Sequence, residues 1–127
     1  MARKLAVGEK PLFWVGSSRE DLLQFPDEVK DGLGAALSVA QFGGKHPSAK
    51  IWKGEGPGVL EVVDNFMGDT YRAVYTVRFA QAVYVLHAFQ KKSPRRRKTS
   101  QRDVNLISRR LMSAQQDYGE RYGKPKS

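Results

Sequence analysis

Residues 83–98 read Val-Tyr-Val-Leu-His-Ala-Phe-Gln-Lys-Lys-Ser-Pro-Arg-Arg-Arg-Lys. The first half of this stretch is apolar, β-branched and aromatic, a composition that favours a buried strand. The second half is cationic at six of its eight positions, whereas the other residues of the chain account for only +3 of the total net charge of +9. Because this charge follows a predicted core strand, it has a fixed place on the fold and indicates a binding surface for a polyphosphate such as nucleic acid.

The composition predicts one small domain, and the absence of cysteine is compatible with the cytoplasm, where we expect the protein to act. The chain has 127 residues, of which 40% are hydrophobic, enough to fill a single core. It contains no cysteine, which excludes disulfides and thiolate metal sites. No apolar run approaches the roughly 18 residues that span a bilayer. We therefore expect a single domain over residues 1–118, a flexible tail over residues 119–127, no membrane association and no metal or other cofactor.

Hydrophobic periodicity and turn residues predict an α+β fold with the order β-α-α-β-β-β-α. The first two helices are expected to form a hairpin. The three later strands are separated by very short links, so they should form a small antiparallel sheet. The predicted elements are a strand at 11–15, a short helix from 18 to about 24, a helix at 26–42, a loop at 45–58, strands at 59–66, 71–79 and 82–90, and a helix from about 100 to 118.

Several short motifs in this order resemble the RelE/ParE superfamily of bacterial toxins, and most closely its phage-derived HigB-like branch. The motifs are Trp14-Val-Gly-Ser-Ser18, Asp69-Thr-Tyr-Arg-Ala-Val-Tyr75, Leu86-His-Ala-Phe-Gln-Lys-Lys92, Thr99 and Arg102-Asp103. The resemblance covers about residues 10–118. Its Phe-Gln-Lys-Lys end is the most specific part. After the lysines the family continues Gly-Ile-Lys-Thr-Pro, whereas this chain has Arg96-Arg97-Lys98-Thr99-Ser100, which raises the charge of the loop.

The resemblance implies a RelE-like fold and a defined activity. The activity is that of a toxin of a type II toxin–antitoxin system, an endoribonuclease that cuts mRNA on the ribosome and so inhibits translation. A cognate antitoxin, expected to be a helix-turn-helix DNA-binding protein encoded beside the toxin, would hold it inactive. The arginine of the Tyr-Arg pair, which is Arg72 here, is a phosphate-gripping catalytic residue in this family.

Cleavage of RNA through its own 2′-hydroxyl needs a proton acceptor, a proton donor and a group that stabilises the crowded phosphorane, and no metal is obligatory. Arg72 can grip a phosphate with two donors, although a pairing with Glu61 on the neighbouring strand is an equally good interpretation. Lys91 is a candidate for proton transfer because neighbouring Lys92 should lower its pKa. His87 is the third catalytic candidate, but a structural histidine inside the strand is the favoured alternative.

The basic residues that follow and flank these candidates are predicted to bind nucleic acid. His46 lies in the basic loop before the second predicted strand, where a solvated loop is the favoured interpretation and a second RNA-facing wall is the alternative. Two other functions stay open: a ParE-like poison of a DNA topoisomerase with no nuclease chemistry, and a basic, non-catalytic module that binds RNA or the ribosome. The predicted nucleic-acid-binding residues are Lys53, Lys92, Arg95, Arg96, Arg97 and Lys98.

Overall fold

The computed structural model describes residues 4–91 and 99–123, which build a five-stranded sheet with helices on both faces. This arrangement confirms the predicted α+β class. Within the described ranges, none of the helices combines the length and the apolarity needed to cross a membrane. The elements are β1 (Leu12–Trp14), α1 (Ser18–Leu23), α2 (Asp27–Gln41), β2 (Ala49–Ile51), β3 (Val59–Phe66), β4 (Asp69–Thr76), β5 (Val83–Lys91) and α3 (Gln101–Tyr122).

The strands lie in the order β1-β5-β4-β3-β2. Strands β3, β4 and β5 form the predicted antiparallel meander. The sheet as a whole is mixed, because β1 adds to β5 in the parallel direction, with Leu12 opposite Val83 and Trp14 opposite Val85. No hairpin links β1 to its neighbour, so the sequence contained no signal for its direction. As a result β5 has a strand on each side.

Strand β2 lies inside the segment that was predicted to be a loop. Ala49 pairs with Val62 and Ile51 pairs with Leu60, antiparallel to β3. Only three residues take part, and the residues around them are rich in glycine, proline and lysine, so no alternating pattern was visible in the sequence. The prediction of a continuous loop over residues 45–58 was wrong at this strand.

Helix α3 continues to Tyr122, beyond the predicted end at residue 118. Contacts across Gly119 support this last turn. Arg121 forms a 2.7 Å ion pair with Asp117, and the rings of Tyr118 and Tyr122 lie 4.8 Å apart. These pairs have the four-residue spacing that stabilises a helix from its surface. Residues 124–127 of the predicted tail lie outside the described residues.

The sheet separates two cores. Helices α1 and α2 cover one face, and α3 covers the other. Both faces of β5 are therefore buried, which explains why its residues 83–89 are almost uniformly apolar instead of alternating. The first core includes Leu22, Val29, Leu33, Leu37, Val62, Tyr75 and Val85, and the second includes Trp52, Val74, Tyr84, Leu86, Phe89, Ile107 and Leu111.

The β3–β4 hairpin turns through Met67 and Gly68, both of which have positive φ, 51° and 87°. Asparagine in place of Met67 should stabilise the protein by about 1 kcal/mol, because asparagine adopts this left-handed conformation more readily than methionine. Packing would change little, since Met67 is 87% exposed. Chemical denaturation of Met67→Asn against wild type measures the difference. Met112→Asn, at an exposed position within α3, is the matched control and should not stabilise. A neutral or destabilising Met67→Asn would contradict this explanation of the turn.

Candidate functional site

One extra residue in β5 sets the arrangement of the site. Opposite β4, Val74 pairs with His87 whereas the next residue, Tyr75, pairs with Val85. Leu86 therefore has no partner of its own and forms a β-bulge. In a regular strand neighbouring side chains alternate between faces, but here Leu86 packs in the α3 core and His87 also contacts α3.

The bulge reverses the alternation for the rest of β5. After it, His87, Phe89 and Lys91 point to the α3 face, whereas without it they would point to the α1–α2 face. Arg72 lies opposite Phe89, and Thr70 lies opposite Lys91. The structure therefore brings Arg72 and Lys91 to the same face of the sheet. The pair that contains Arg72 lies two pairs before the one that contains Lys91, the last residue of β5.

Arg72 is held by a carboxylate from the next strand. Its Nη1 lies 3.2 Å from Oε1 of Glu61, and Nζ of Lys50 lies 3.3 Å from the same oxygen. The Arg72 and Glu61 side chains are 15% and 7% exposed, so the pair is largely shielded from water. The ion pair that the sequence offered as the alternative for Arg72 is thus present. Among the described residues, two cations share this carboxylate, and Nε of Arg72 is buried with no hydrogen-bond partner.

Arg72 and Glu61 both affect the pKa of Lys91. Burial lowers the pKa of Lys91, and the positive charge of Arg72 lowers it further, against the smaller opposing effects of Asp103 and Glu61. The direction agrees with the prediction, which attributed it to a neighbouring cation. Lys92, which the sequence suggested as the cause, lies outside the described residues. The Lys91 ammonium group is therefore a better proton donor than an ordinary lysine.

His87 is engaged through both ring nitrogens. Nε2 lies 2.7 Å from Oδ1 of Asp103 and donates to it, while Nδ1 lies 3.5 Å from Nη1 of Arg110. The ring stacks on Phe89 with centroids 4.5 Å apart, and the residue is only 6% exposed. Burial lowers the pKa of His87 despite the hydrogen bond to Asp103. These contacts favour the structural interpretation of His87, as an anchor between β5 and the first turn of α3.

The predicted nucleic-acid-binding residues are only partly covered by the structure. Lys53 is exposed in the loop between β2 and β3. Its neighbour Lys50, which was not among the predicted site residues, contacts the site instead through Glu61. The other predicted binding residues, Lys92, Arg95, Arg96, Arg97 and Lys98, lie outside the described residues.

The signal for Lys50 was hidden by the missed strand β2. Once β2 pairs with β3, Lys50 lies directly opposite Glu61. A glutamate within the apolar run of β3 was the visible clue, because a buried carboxylate needs a charged or hydrogen-bonding partner. No group of three or more histidine, aspartate or glutamate side chains in the part of the chain that the structure describes could hold a metal ion.

Comparison with known proteins agrees with the sequence resemblance. Residues 20–112 match the family of phage-derived Gp49-like proteins, and the chain belongs to this family. Among solved structures, the chain is similar to one from the RelBE2 toxin–antitoxin complex of Mycobacterium tuberculosis. The identity is 19% and the TM-score 0.40, and the match covers 69% of this chain and 98% of that one. No curated protein sequence matches the chain significantly.

The buried state of His87 predicts a pH dependence of stability. The pKa of His87 in the folded protein is below 6.5, so the unfolded chain binds the proton first as the pH falls. The free energy of unfolding should therefore be highest above about pH 6.5 and should decrease below it. His87→Gln should flatten the curve between pH 7 and 5, since its amide can still donate to Asp103 but does not titrate.

Urea denaturation at a series of pH values measures this effect. His46→Gln removes the second of the two histidines and assigns the slope to one of them. If His87→Gln keeps the wild-type slope, burial of a neutral His87 is not what makes stability depend on pH.

Proposed function

We propose that this protein is the toxin of a type II toxin–antitoxin pair and cuts mRNA on the ribosome by attack of the RNA's own 2′-hydroxyl. Membership of the phage-derived family and the RelE-like motifs support the class of protein. The observation that carries the nuclease proposal is the placement of Arg72 and Lys91 on one face of the sheet, where Arg72 also pairs with Glu61.

Arg72 would bind the scissile phosphate. Its guanidinium group presents several donors in one plane, of which Nη1 donates to Glu61, while Nε has no partner in the part of the chain that the structure describes. A phosphate has the same charge and hydrogen-bonding character as the carboxylate that holds Arg72 in the free protein. RNA would therefore replace Glu61 as the partner of Arg72, and the guanidinium would stabilise the charge that develops on the phosphorane.

Glu61 and Lys91 would carry the two proton transfers. When phosphate takes over Arg72, the Glu61 carboxylate, still held by Lys50, accepts the proton of the 2′-hydroxyl as the 2′-oxygen bonds to phosphorus. The bond from phosphorus to the 5′-oxygen breaks, and the Lys91 ammonium group gives this oxygen a proton. The products are a 2′,3′-cyclic phosphate and a 5′-hydroxyl. Exchange with water then restores both side chains.

His87 has a supporting role in this proposal, not the catalytic role first considered for it. Its ring is shielded from substrate, and both nitrogens have partners within the protein. Through Asp103 it would fix the first turn of α3 against β5, on the face of the sheet where Lys91 lies.

The basic residues predicted to bind nucleic acid would also bind the ribosome and the antitoxin. The net charge of +9 provides long-range attraction to RNA. The residues proposed for this role are Lys53, Lys92, Arg95, Arg96, Arg97 and Lys98. A cognate antitoxin, a DNA-binding protein of the helix-turn-helix type, would cover the same surface, because a free inhibitor of translation would harm its own host. The cytoplasm, where ribosomes and mRNA meet, is the proposed location.

A non-catalytic function is the second candidate. The Glu61–Arg72 ion pair supports it, since an arginine neutralised by a buried carboxylate can be purely structural. The protein would then act by binding alone, either to RNA or the ribosome or, like ParE, to a topoisomerase. The two candidates differ in what the loss of Arg72 does: it slows a chemical step in the first and only destabilises the fold in the second.

Arg72→Ala should reduce the rate of mRNA cleavage about 100-fold to 1000-fold, because it removes the main stabiliser of the developing charge. The measurement is single-turnover cleavage on programmed ribosomes with the protein in excess. Arg19→Ala is the control, since Arg19 is an exposed arginine on α1, on the opposite side of the sheet, and its loss changes the net charge equally. Cleavage by folded Arg72→Ala at the wild-type rate would move the second candidate ahead.

Replacing Arg95, Arg96 and Arg97 together with alanine should weaken binding without much change in the chemical step. For each phosphate that is no longer neutralised by an arginine, the slope of log affinity against log salt should become shallower by about one unit. Ribosome binding measured at several salt concentrations gives the slope, and the single-turnover rate at saturation gives the chemistry. A full loss of rate at saturation, with the affinity unchanged, would show that these arginines belong to the catalytic site instead.

A further inference from the structure

The bulge in β5 has an anchor on another element. Nη1 of Arg110, from α3, donates to the backbone oxygen of Leu86 at 3.0 Å, and its Nη2 donates to Oγ of Ser17 at 3.1 Å. Leu86 is the residue that the regular ladder leaves without a partner on β4. Arg110 therefore satisfies a carbonyl at the point where the alternation of β5 changes.

The neighbouring carbonyl is held in the same manner from the other side. The backbone oxygen of Val85 accepts from the amide of Val15 at 2.9 Å and from Oγ of Ser18 at 3.2 Å. Two successive carbonyls of β5 are thus bound by groups that lie outside β4. These contacts hold the backbone of β5 at the point where its register against β4 shifts.

Gly16 makes room for the Arg110 guanidinium. A Cβ atom at this position would lie 2.8 Å from both Nε and Nη2 of Arg110, closer than real contacts allow. Gly16 also has a φ of +57°, which glycine adopts without strain. A side chain here would push the guanidinium away from Leu86 and Ser17.

We propose that Arg110 is a positioning residue of the site: by holding the Leu86 carbonyl it maintains the bulge, and the bulge keeps Lys91 on the face of Arg72. The inference deepens the proposed nuclease function and rests on it for its catalytic consequence. Its structural content is independent of that function, because Lys91 and Arg72 share a face only while β5 contains the extra residue.

A purely structural role for Arg110, as one more contact between α3 and the sheet, predicts something different. Its loss would then lower stability but leave Lys91 beside Arg72. The distinguishing observable is the pKa of Lys91, which burial and Arg72 lower and which Asp103 and Glu61, among the described residues, raise. If Lys91 leaves this face, its pKa should rise toward the ordinary value.

The test is an NMR titration of Lys91, with its signal assigned by comparison with Lys91→Arg. In Arg110→Gln the Lys91 pKa should rise toward 10.5, the value of an unperturbed lysine. Gly16→Ala should raise it in the same direction while keeping the Arg110 charge, which separates displacement of the guanidinium from simple loss of charge. Arg109→Gln is the matched control: it removes the same charge from the exposed adjacent position of α3 and should leave Lys91 unchanged. An unchanged Lys91 in folded Gly16→Ala or Arg110→Gln overturns the proposal.

Cleavage assays then test the catalytic consequence separately. Arg110→Gln should slow single-turnover cleavage, by up to about 100-fold for a displacement of an ångström or more, while Arg109→Gln should not. Arg110→Gln should cost little more when Lys91→Ala is already present, because both changes remove the same contribution. Additive losses would contradict the positioning role. If the wild-type protein does not cleave at all, the proposed function fails, but the titration still decides whether Arg110 positions Lys91.

Discussion

The bulge at Leu86 is the feature on which the arrangement of both cores and of the site depends. Strand β5 has a strand on each side and helices on each face, so each of its side chains must enter one core or the other. A shift of one residue exchanges the two faces for every residue after it. With the bulge, Ala88 fits the α1–α2 core and Phe89 the α3 core, and Lys91 reaches the face that carries Arg72. Packing and the proposed chemistry therefore rely on the same extra residue.

In the proposed mechanism, the Arg72 side chain exchanges its internal partner, Glu61, for a phosphate of the RNA. A single carboxylate with Lys50 and Arg72 as partners carries a net charge of +1. Removing such groups from water costs free energy, and the ion pairs offset only part of that cost. An incoming phosphate would offer Arg72 an equivalent partner together with water-excluding contacts. In the free protein the Glu61 carboxylate would thus hold Arg72 in the position where it later binds phosphate. Substrate binding would then require little reorganisation of Arg72.

The sequence predicted the parts of this structure that depend on local patterns. The helical segments and the order of the elements follow from hydrophobic spacing and turn residues over short stretches of the chain. Strand β2 and the direction of β1 depend on pairing with distant residues, and neither leaves a periodic signal in three residues. The bulge has no residue signature either: the contacts that specify it come from Ser18 and Arg110, on other elements. The effects of Arg72, Asp103 and Glu61 on the pKa of Lys91 likewise come from other elements, so the sequence could not show them.

The chemistry of the product ends decides whether this site cleaves RNA through the RNA's own 2′-hydroxyl. The measurement is end-group analysis of mRNA recovered from ribosomes after incubation with the purified protein. We predict fragments that end in a 2′,3′-cyclic phosphate and begin with a 5′-hydroxyl. Intact mRNA, or fragments with 3′-hydroxyl and 5′-phosphate ends, would contradict the proposal, because attack by water on the phosphate would then replace the mechanism assigned to Arg72, Glu61 and Lys91.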